Sequence, residues 1–162
     1  MDVVRGALLV ISTLAVGFQA GLFYTFGVSV MRTLKGVDDK TFVNVMQRIN
    51  RDIQNAGFGL TFAGGLVFGV ISLLLVLGSG AAVLAPVIIG VVLYIISLGI
   101  TFRGNIPMNI RLDRAGHPDK LSNEALSSAR KQFEDPWTRA NAIRMLFALG
   151  AAAAFCVGLI GL

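Results

Sequence analysis

The chain is 162 residues long, 55% of them hydrophobic, and carries a net charge of +5 at pH 7 with a mean hydropathy of +0.75. This composition excludes a large soluble catalytic domain, because most of the length lies in uncharged apolar runs. It also argues against nucleic acid as a partner: thirteen of the fourteen Lys and Arg residues lie in segments 32–51 and 103–144, mixed with acidic residues, and form no separate basic surface.

The first uncharged run covers residues 6–31, between Arg5 and Arg32. A helix needs about twenty apolar residues to cross the hydrocarbon core of a bilayer, so this run is long enough for one crossing. It is too long for the apolar region of a secretory signal, and no cleavage site of small residues with a polar chain follows it. We therefore expect a permanent transmembrane helix at about residues 6–31.

The central run is the longest, because fifty residues, 53–102, contain no charged side chain. Residues 78–80, Gly-Ser-Gly, and Pro86 interrupt it near its middle. This pattern predicts a tight turn between two crossings, at about residues 55–77 and 83–102.

A last uncharged run, residues 145–162, predicts a fourth crossing at about residues 142–161. Helices satisfy their own backbone groups in lipid, and these long unbroken runs are typical of helices rather than of barrel strands. The sequence therefore predicts an all-α fold, a single-domain integral membrane four-helix bundle. Glycine-rich helix faces allow close approach and leave a homodimer open as an arrangement.

The segments between the spans, about residues 32–54 and 103–141, hold nearly all of the positive charge. Short loops rich in Lys and Arg mark the cytoplasmic side of a membrane protein. We therefore expect a protein of the plasma (inner) membrane, with membrane lipids as partners and with both termini on the extracytoplasmic side.

Both segments contain helical patterns that extend the bundle on the cytoplasmic side. In the first, Asp38 or Asp39 can cap a helix whose apolar residues recur at helical spacing, and this helix is predicted to run on into the second span. In the second, Ser122 or Asn123 can cap a helix that reaches about residue 134.

Two interruptions are predicted in the second segment. Asp135-Pro136 offers a cap followed by proline at the first helical position, so a break or at least a kink should precede the fourth helix. Residues 104–118 contain two prolines, two glycines and two asparagines, and predict the main irregular connection. We interpret His117, the one histidine, as a solvated residue of this connection.

Polar side chains cluster where the spans meet the cytoplasmic segments, and such groups in a membrane helix usually face an interior or a cavity. Trp137, Asn141 and Arg144 recur at i, i+4 and i+7, so they share one helical face that should look into the bundle. The other polar residues at this level are Gln19, Tyr24, Gln47, Asn50, Gln54, Asn55, Arg103, Asn105, Asn109, Arg111 and Arg139. Such residues can also cap helix ends, snorkel to headgroups or form an interfacial aromatic belt.

Four motifs follow one another along the chain: Phe23-Tyr24 with Val28-Ser29-Val30-Met31, Met46-Gln47-x-Ile49-Asn50, Asn105-Ile-Pro-Met-Asn109-x-Arg111-Leu112, and Trp137-Thr138-Arg139-x-Asn141-x-x-Arg144. In order and spacing they resemble the signatures of the anthrone oxygenase-like family of small four-span membrane proteins. The resemblance implies oxygenation of an anthrone to an anthraquinone by dioxygen, without metal or flavin. Relatives often read Trp-Thr-Arg-Trp-Asn-His-x-Arg in the last motif, whereas this chain has Ala140 and Ala142 at the second tryptophan and the histidine.

For an anthrone- or phenol-like substrate, this activity requires a site that binds a flat apolar molecule and stabilises an oxyanion. We expect Arg144 and Asn141 to do so, and Tyr24 to accept or donate a proton. The expected substrate-binding residues are Trp137, Arg139, Asn105, Asn109, Arg111 and Asn50. No cofactor is implied, and no His, Cys and carboxylate cluster has the spacing of a metal site. The alternative is a non-catalytic lipid- or quinone-binding protein, or an accessory subunit of a membrane complex.

Overall fold

The computed structural model describes residues 2–162, a part of the chain that contains helices and turns and no strand. The α-helices, in chain order, are α1 (Asp2–Thr25), α2 (Met31–Lys35), α3 (Asp39–Asp52), α4 (Ala56–Val76), α5 (Ala81–Ile100), α6 (Ile106–Arg114) and α7 (Asn123–Ile160). π-Helical turns at Phe26–Val30 and Thr101–Asn105 join α1 to α2 and α5 to α6 as continuous rods. A short 3-10 turn, Pro118–Lys120, precedes α7.

Four of the helical rods are long and apolar enough to cross a membrane: Asp2–Lys35, Ala56–Val76, Ala81–Arg114 and Asn123–Ile160. Helix α7 packs against α1 and α5, and α4 packs against the same two helices. The predicted all-α fold is therefore confirmed, and so is the four-helix bundle. The protein is an integral membrane protein.

Three of the four rods have 34, 34 and 38 residues, well above the length that a bilayer core requires. Their extra turns lie at one end of the bundle, where they pack with α3. We call this region the polar end and define it as residues 32–55 and 103–136. The predicted extension of the helices beyond the spanning length is confirmed.

Helix α3 is bounded by capping side chains. Asp38 accepts hydrogen bonds from the Thr41 hydroxyl at 2.7 Å and from the Thr41 backbone N–H at 2.9 Å, which hold the pKa of the Asp38 carboxyl below its ordinary value. The prediction that this helix runs on into the second span is wrong, because α3 ends at Asp52. Asn55 then caps α4, since its Oδ1 accepts from the Phe58 backbone N–H at 3.0 Å.

The prediction of an irregular connection at residues 104–118 is also wrong. Pro107 lies inside the continuous rod Ala81–Arg114, directly after the π-helical turn Thr101–Asn105. The irregular backbone is confined to residues 115–117, where Gly116 adopts a φ of 107°. The asparagines of this segment are therefore presented by a helix instead of a turn.

A break or at least a kink was predicted before the fourth helix, and the break is wrong, because helix α7 is continuous through Pro136. It begins at the predicted cap, where the Ser122 hydroxyl accepts from the Ala125 backbone N–H at 3.3 Å. Phe133 and Trp137, on either side of Pro136, are buried in the same apolar cluster. We attribute the continuity of the helix to this shared packing, which outweighs the hydrogen bond that proline removes.

Two apolar clusters fill the molecule. The larger lies between the spans and includes Tyr94 and Phe155, and the smaller lies mainly at the polar end, where it includes Phe42 and Phe133, and extends to Trp137. The polar end therefore has a hydrophobic core of its own, which fixes the ends of the spans relative to one another.

Gly90 lets α5 approach the ring of Phe155 on α7. A Cβ atom at this position would lie 2.8, 2.8 and 3.1 Å from three atoms of that ring. We expect Gly90→Ala to lower the free energy of unfolding by about 1–3 kcal/mol, the usual effect of overpacking a filled core. Gly99→Ala on the same helix is the control, because nothing lies within 4 Å of a Cβ there. Equal melting temperatures for the two variants in detergent would contradict this prediction.

Candidate functional site

A cavity of about 390 Å³ lies where the spans meet the polar end. Its volume falls in the range of small-molecule sites, about 300–1,000 Å³. The apolar lining residues are Leu22, Phe23, Phe26, Ile49, Ile53, Phe58, Phe62, Ile106, Ile110 and Trp137. The polar lining residues are Asn50, Arg51, Gln54, Thr101, Asn109, Asp113, Arg114 and Arg144.

One face of α7 carries the aromatic and polar side chains of the buried side of the cavity. Trp137, Asn141 and Arg144 are all buried, as their spacing predicts. Trp137 and Arg144 line the cavity directly, and Asn141 lies between them on the same face. The continuity of α7 through Pro136 places Trp137 in register with the other two residues.

Arg144 is the only charged side chain in the buried part of the lining. It is 7% exposed, and its Nε and Nη2 atoms donate to Asn141 Oδ1 at 3.2 and 2.9 Å. Its Nη1 atom donates to the Thr101 hydroxyl at 3.4 Å. The guanidinium carbon lies 3.9 Å from the centre of the Phe23 ring and 5.4 Å from that of Trp137.

The charge of Arg144 is not neutralised within the described chain, because no carboxylate of residues 2–162 forms an ion pair with it. Its partners are an amide, a hydroxyl and two aromatic faces. Cation–π contacts contribute about 2 kcal/mol when they are desolvated, whereas burying a single charge costs several kcal/mol. The arrangement therefore favours an anionic or electron-rich group bound beside Arg144.

Three asparagines fix the walls in place. Asn141 Nδ2 donates to the Phe23 carbonyl at 2.8 Å and so ties α7 to α1. Asn109 Oδ1 accepts from Trp137 Nε1 at 2.8 Å, and Asn105 Nδ2 donates to the Trp137 carbonyl at 3.2 Å. The tryptophan ring is thus held by α6 in one orientation.

Asn50 lines the cavity, and one of its hydrogen-bond donors is unused. Its side chain is 8% exposed, and its Nδ2 atom has no partner among residues 2–162. The Asn50 carbonyl is held by Gln54 Nε2 at 2.9 Å. An unsatisfied buried donor costs about 1–3 kcal/mol, which a ligand oxygen would recover. Arg144 and Asn50 together favour a ligand with more than one oxygen acceptor.

Five residues that the sequence assigns to the site lie outside the cavity lining. Two of them, Asn105 and Asn141, are buried and hydrogen-bond to the lining residues Trp137 and Arg144, and the other three are exposed. Tyr24 is 56% exposed, because it follows Phe23, whose ring faces inward, and so points about 100° away around the helix. Arg139 is exposed too, two positions after Trp137 on the other side of α7. Arg111 is exposed and lines a separate groove between α6 and α7.

The structure adds three charged residues to the rim of the cavity: Arg51, Asp113 and Arg114. Arg51 Nη1 donates to Asp113 Oδ1 at 2.9 Å. Asp113 follows Asn109 by one helical turn and therefore shares its face of α6. Asp113 is not among the predicted site residues, because residues 104–118 were expected to be irregular. Its helical spacing from Asn109 was the signal that could have found it.

The polar lining suits an organic ligand. Residues 2–162 contain no group of three His, Cys, Asp or Glu side chains that could hold a metal ion. Amide and guanidinium groups predominate, and they donate hydrogen bonds to oxygen acceptors.

The sequence model of a protein family described as anthrone oxygenase matches residues 48–154, more than half of the chain. The chain belongs to the anthrone oxygenase family. The resemblance to this family is thereby confirmed, and the matched region contains the third and fourth motifs together with Asn50 and Asp113. No curated protein and no solved structure gave a significant match.

This anthrone oxygenase family member departs from the common last motif at two alanines, and both lie outside the cavity lining. Ala142 is exposed on the outer side of α7. Ala140 packs against Gly104, and its Cβ atom would lie 3.7 Å from a Cβ atom added at Gly104. The histidine that relatives often carry at residue 142 would therefore face away from Arg144, and its absence removes no group from the lining.

Proposed function

We propose that this member of the anthrone oxygenase family is a cofactor-independent oxygenase of a flat, anthrone- or phenol-like aromatic molecule. The observation that carries the proposal is Arg144, a buried guanidinium without a carboxylate partner in a cavity walled by aromatic rings. An aromatic oxyanion would neutralise this charge, whereas a hydrocarbon chain would not.

The proposed reaction requires no redox group from the protein, because the substrate supplies the electrons that reduce dioxygen. An anthrone that loses a proton from its central CH₂ group becomes an enolate, which can pass electrons to dioxygen. Overall the CH₂ group becomes a carbonyl, one oxygen atom of dioxygen enters the product, and the other leaves as water. Arg144 would bind the enolate oxygen more tightly than the neutral carbonyl oxygen, which is the condition for acceleration.

The remaining lining residues would orient the substrate. Phe23, Phe26 and Trp137 offer aromatic surfaces to its rings, and Asn109 keeps the Trp137 ring in place. The free Nδ2 of Asn50 would donate to a second oxygen of the substrate. A hydroxylated tricyclic molecule meets both requirements.

We place the protein in the plasma (inner) membrane with the polar end in the cytoplasm and both termini on the opposite side. Support comes from the thirteen of fourteen Lys and Arg residues in segments 32–51 and 103–144. In this orientation the cavity lies near the cytoplasmic membrane surface, within reach of an apolar aromatic molecule that partitions into lipid.

Two measurements on detergent-purified protein, with a simple anthrone as the probe, test the proposal. Trp137 is the one tryptophan of the chain, so saturable quenching of its fluorescence reports binding. Oxygen uptake, corrected for spontaneous autoxidation, reports turnover. We expect both, and uptake no faster than autoxidation would reject the proposal.

Asn141→Asp places a carboxylate beside Arg144 with little change in side-chain size. Asn141 Oδ1 already accepts from two guanidinium nitrogens, so the new charge would neutralise Arg144, and the hydrogen bond from Asn141 Nδ2 to the Phe23 carbonyl would be lost. We expect oxygen uptake to fall about 100-fold. Asn44→Asp, at an exposed position of α3, introduces the same charge away from the cavity and should leave uptake unchanged. Equal uptake by the two variants would show that the charge of Arg144 does not contribute.

A second candidate function is the binding of a quinone or lipid-like molecule without turnover, alone or as an accessory subunit. It is favoured by the buried part of the lining, where Arg144 and Asn50 donate hydrogen bonds but no side chain readily accepts a proton. Saturable quenching of Trp137 by a quinone, with no oxygen uptake from any anthrone, would support this alternative.

A further inference from the structure

We propose that Asp113, on the last turn of α6, is the catalytic base that takes the proton from the substrate carbon. The inference rests on the proposed function and supplies the group that the reaction requires and that the buried lining lacks. Tyr24, the acceptor expected from the sequence, is exposed and does not line the cavity.

Asp113 is selected by the chemistry of the lining. No His, Cys, Lys or Tyr is among the lining residues that the structure describes, and Asp113 is the one carboxylate among them. Amides, the threonine hydroxyl and guanidinium groups do not accept a proton near neutral pH. A carboxylate that faces a bound carbon acid is a usual general base.

Asp113 and Arg144 face one another along the cavity. Helices α6 and α7 run side by side in opposite directions, because Arg144 contacts Thr101 whereas Trp137 contacts Asn109 further along. Asp113 lies one turn beyond Asn109 toward the polar end. Side chains tilt toward the N-terminus of their own helix, so Asp113 tilts toward the spans and Arg144 tilts toward the polar end.

Asp113 and Arg144 lie toward opposite ends of the cavity lining, which is the arrangement that an anthrone requires. Its oxygen and its acidic CH₂ group lie on opposite sides of the central ring, so the cation and the base must approach from opposite sides. About 18 Å of helix rise separates Thr101, which the Arg144 guanidinium contacts, from Asp113, and the tilt of the Asp113 side chain shortens the distance between the two charged groups. A substrate with its oxygen at Arg144 would direct its CH₂ group toward Asp113.

Helix α3 holds the base in position. Arg51 Nη1 donates to Asp113 Oδ1 at 2.9 Å. Gln47 Nε2 donates to the carbonyls of Leu112 and Gly116 at 2.8 and 3.1 Å, which anchors the end of α6. The other carboxylate oxygen, Oδ2 of Asp113, accepts no hydrogen bond from residues 2–162 and is available to the substrate.

In the proposed step the C–H bond breaks, the proton passes to Asp113 Oδ2, and the electron pair stays on the substrate as the enolate beside Arg144. Dioxygen is the oxidant and adds to the carbon that lost the proton. Asp113 gives its proton to the outer oxygen of the peroxide and then takes the second hydrogen of this carbon as a proton, while the carbonyl forms and the O–O bond breaks to release hydroxide. Asp113 passes this second proton to the hydroxide, which becomes water. The two hydrogens thus leave as water, and the carboxylate is regenerated.

Asp113→Asn keeps the shape of the side chain and removes the base. We expect oxygen uptake to fall by about 10²–10⁴-fold, while an anthrone still quenches Trp137 to saturation. Asp113→Ala leaves space for a small acid, so added formate should restore part of the uptake in proportion to its concentration. Asp52→Asn, an exposed acid at the end of α3, is the matched control and should match wild type.

The outcomes separate this inference from the proposed function. Undiminished uptake by Asp113→Asn, beside an active wild type, would overturn the inference and leave the function standing. Absence of uptake by wild-type protein would overturn both. Loss of both uptake and Trp137 quenching in the two Asp113 variants, without rescue by formate, would mean that Asp113 only supports α6, and would also overturn the inference.

Discussion

Arg144→Met is expected to remove nearly all oxygen uptake and to leave the bundle at least as stable as wild type. Methionine is uncharged and fills a similar volume, so the enolate would lose its cation and kcat should fall by about 10²–10³-fold. Replacing a buried charge with an apolar side chain is often neutral or stabilising by about 1–4 kcal/mol. The contact with the Phe23 ring, at 3.9 Å, offsets part of that gain.

Oxygen uptake and thermal unfolding should be measured in one detergent for Arg144→Met, Arg144→Lys and wild type. Arg144→Lys keeps the charge and should retain part of the uptake. Arg32→Met is the control, because Arg32 is exposed on α2 away from the cavity. A lower melting temperature for Arg144→Met together with normal uptake would mean that Arg144 stabilises the bundle and has no role in turnover.

Arg130→Ala is expected to destabilise the polar end by about 2–5 kcal/mol. Arg130 is only 14% exposed at its side chain, and it donates to Glu134 Oε2 at 2.7 Å and to Asp39 Oδ1 at 3.1 Å. It also donates to the carbonyls of Val37 and Leu34 at 2.8 and 3.1 Å, so it ties α7 to the linker between α2 and α3. Alanine would leave the largely buried Glu134 carboxylate without its partner.

Thermal unfolding and hydrogen exchange test this second prediction, and Lys131→Ala, at the exposed neighbouring position, is the control. We expect Arg130→Ala to lose exchange protection in α3 while the spans keep theirs. Identical melting temperatures and exchange patterns for the two variants would show that the ion pairs of Arg130 contribute nothing measurable.

The spans could be predicted from the sequence because lipid imposes a length on any uncharged helix. The same holds for Trp137, Asn141 and Arg144, whose spacing alone places them on one face and which the structure buries together. Asp38 and Ser122 were also predictable, since a capping side chain acts on backbone groups within the next three residues.

Features that depend on tertiary packing were not predictable in the same way. Pro107 and Pro136 both predict interruptions, yet both lie inside continuous helical rods, Pro107 directly after a π-helical turn and Pro136 between two packed side chains. Tyr24 has the polarity expected of a site residue, but the neighbouring Phe23 side chain faces inward and is buried, so Tyr24 is exposed. Asp113 could be placed only once its segment was known to be helical.

The π-helical turns at Phe26–Val30 and Thr101–Asn105 each act as a one-residue insertion in a rod that is otherwise α-helical. One inserted residue rotates everything beyond it by about 100° around the helix axis. The residues of α1 and α5 that face lipid therefore do not determine, by α-helical spacing alone, which residues of α2 and α6 face the same direction. A strictly α-helical rod that kept the apolar face of α5 toward lipid would turn Asn109 and Asp113 away from their present direction, so the turn at Thr101–Asn105 decides which side chains of α6 face the cavity.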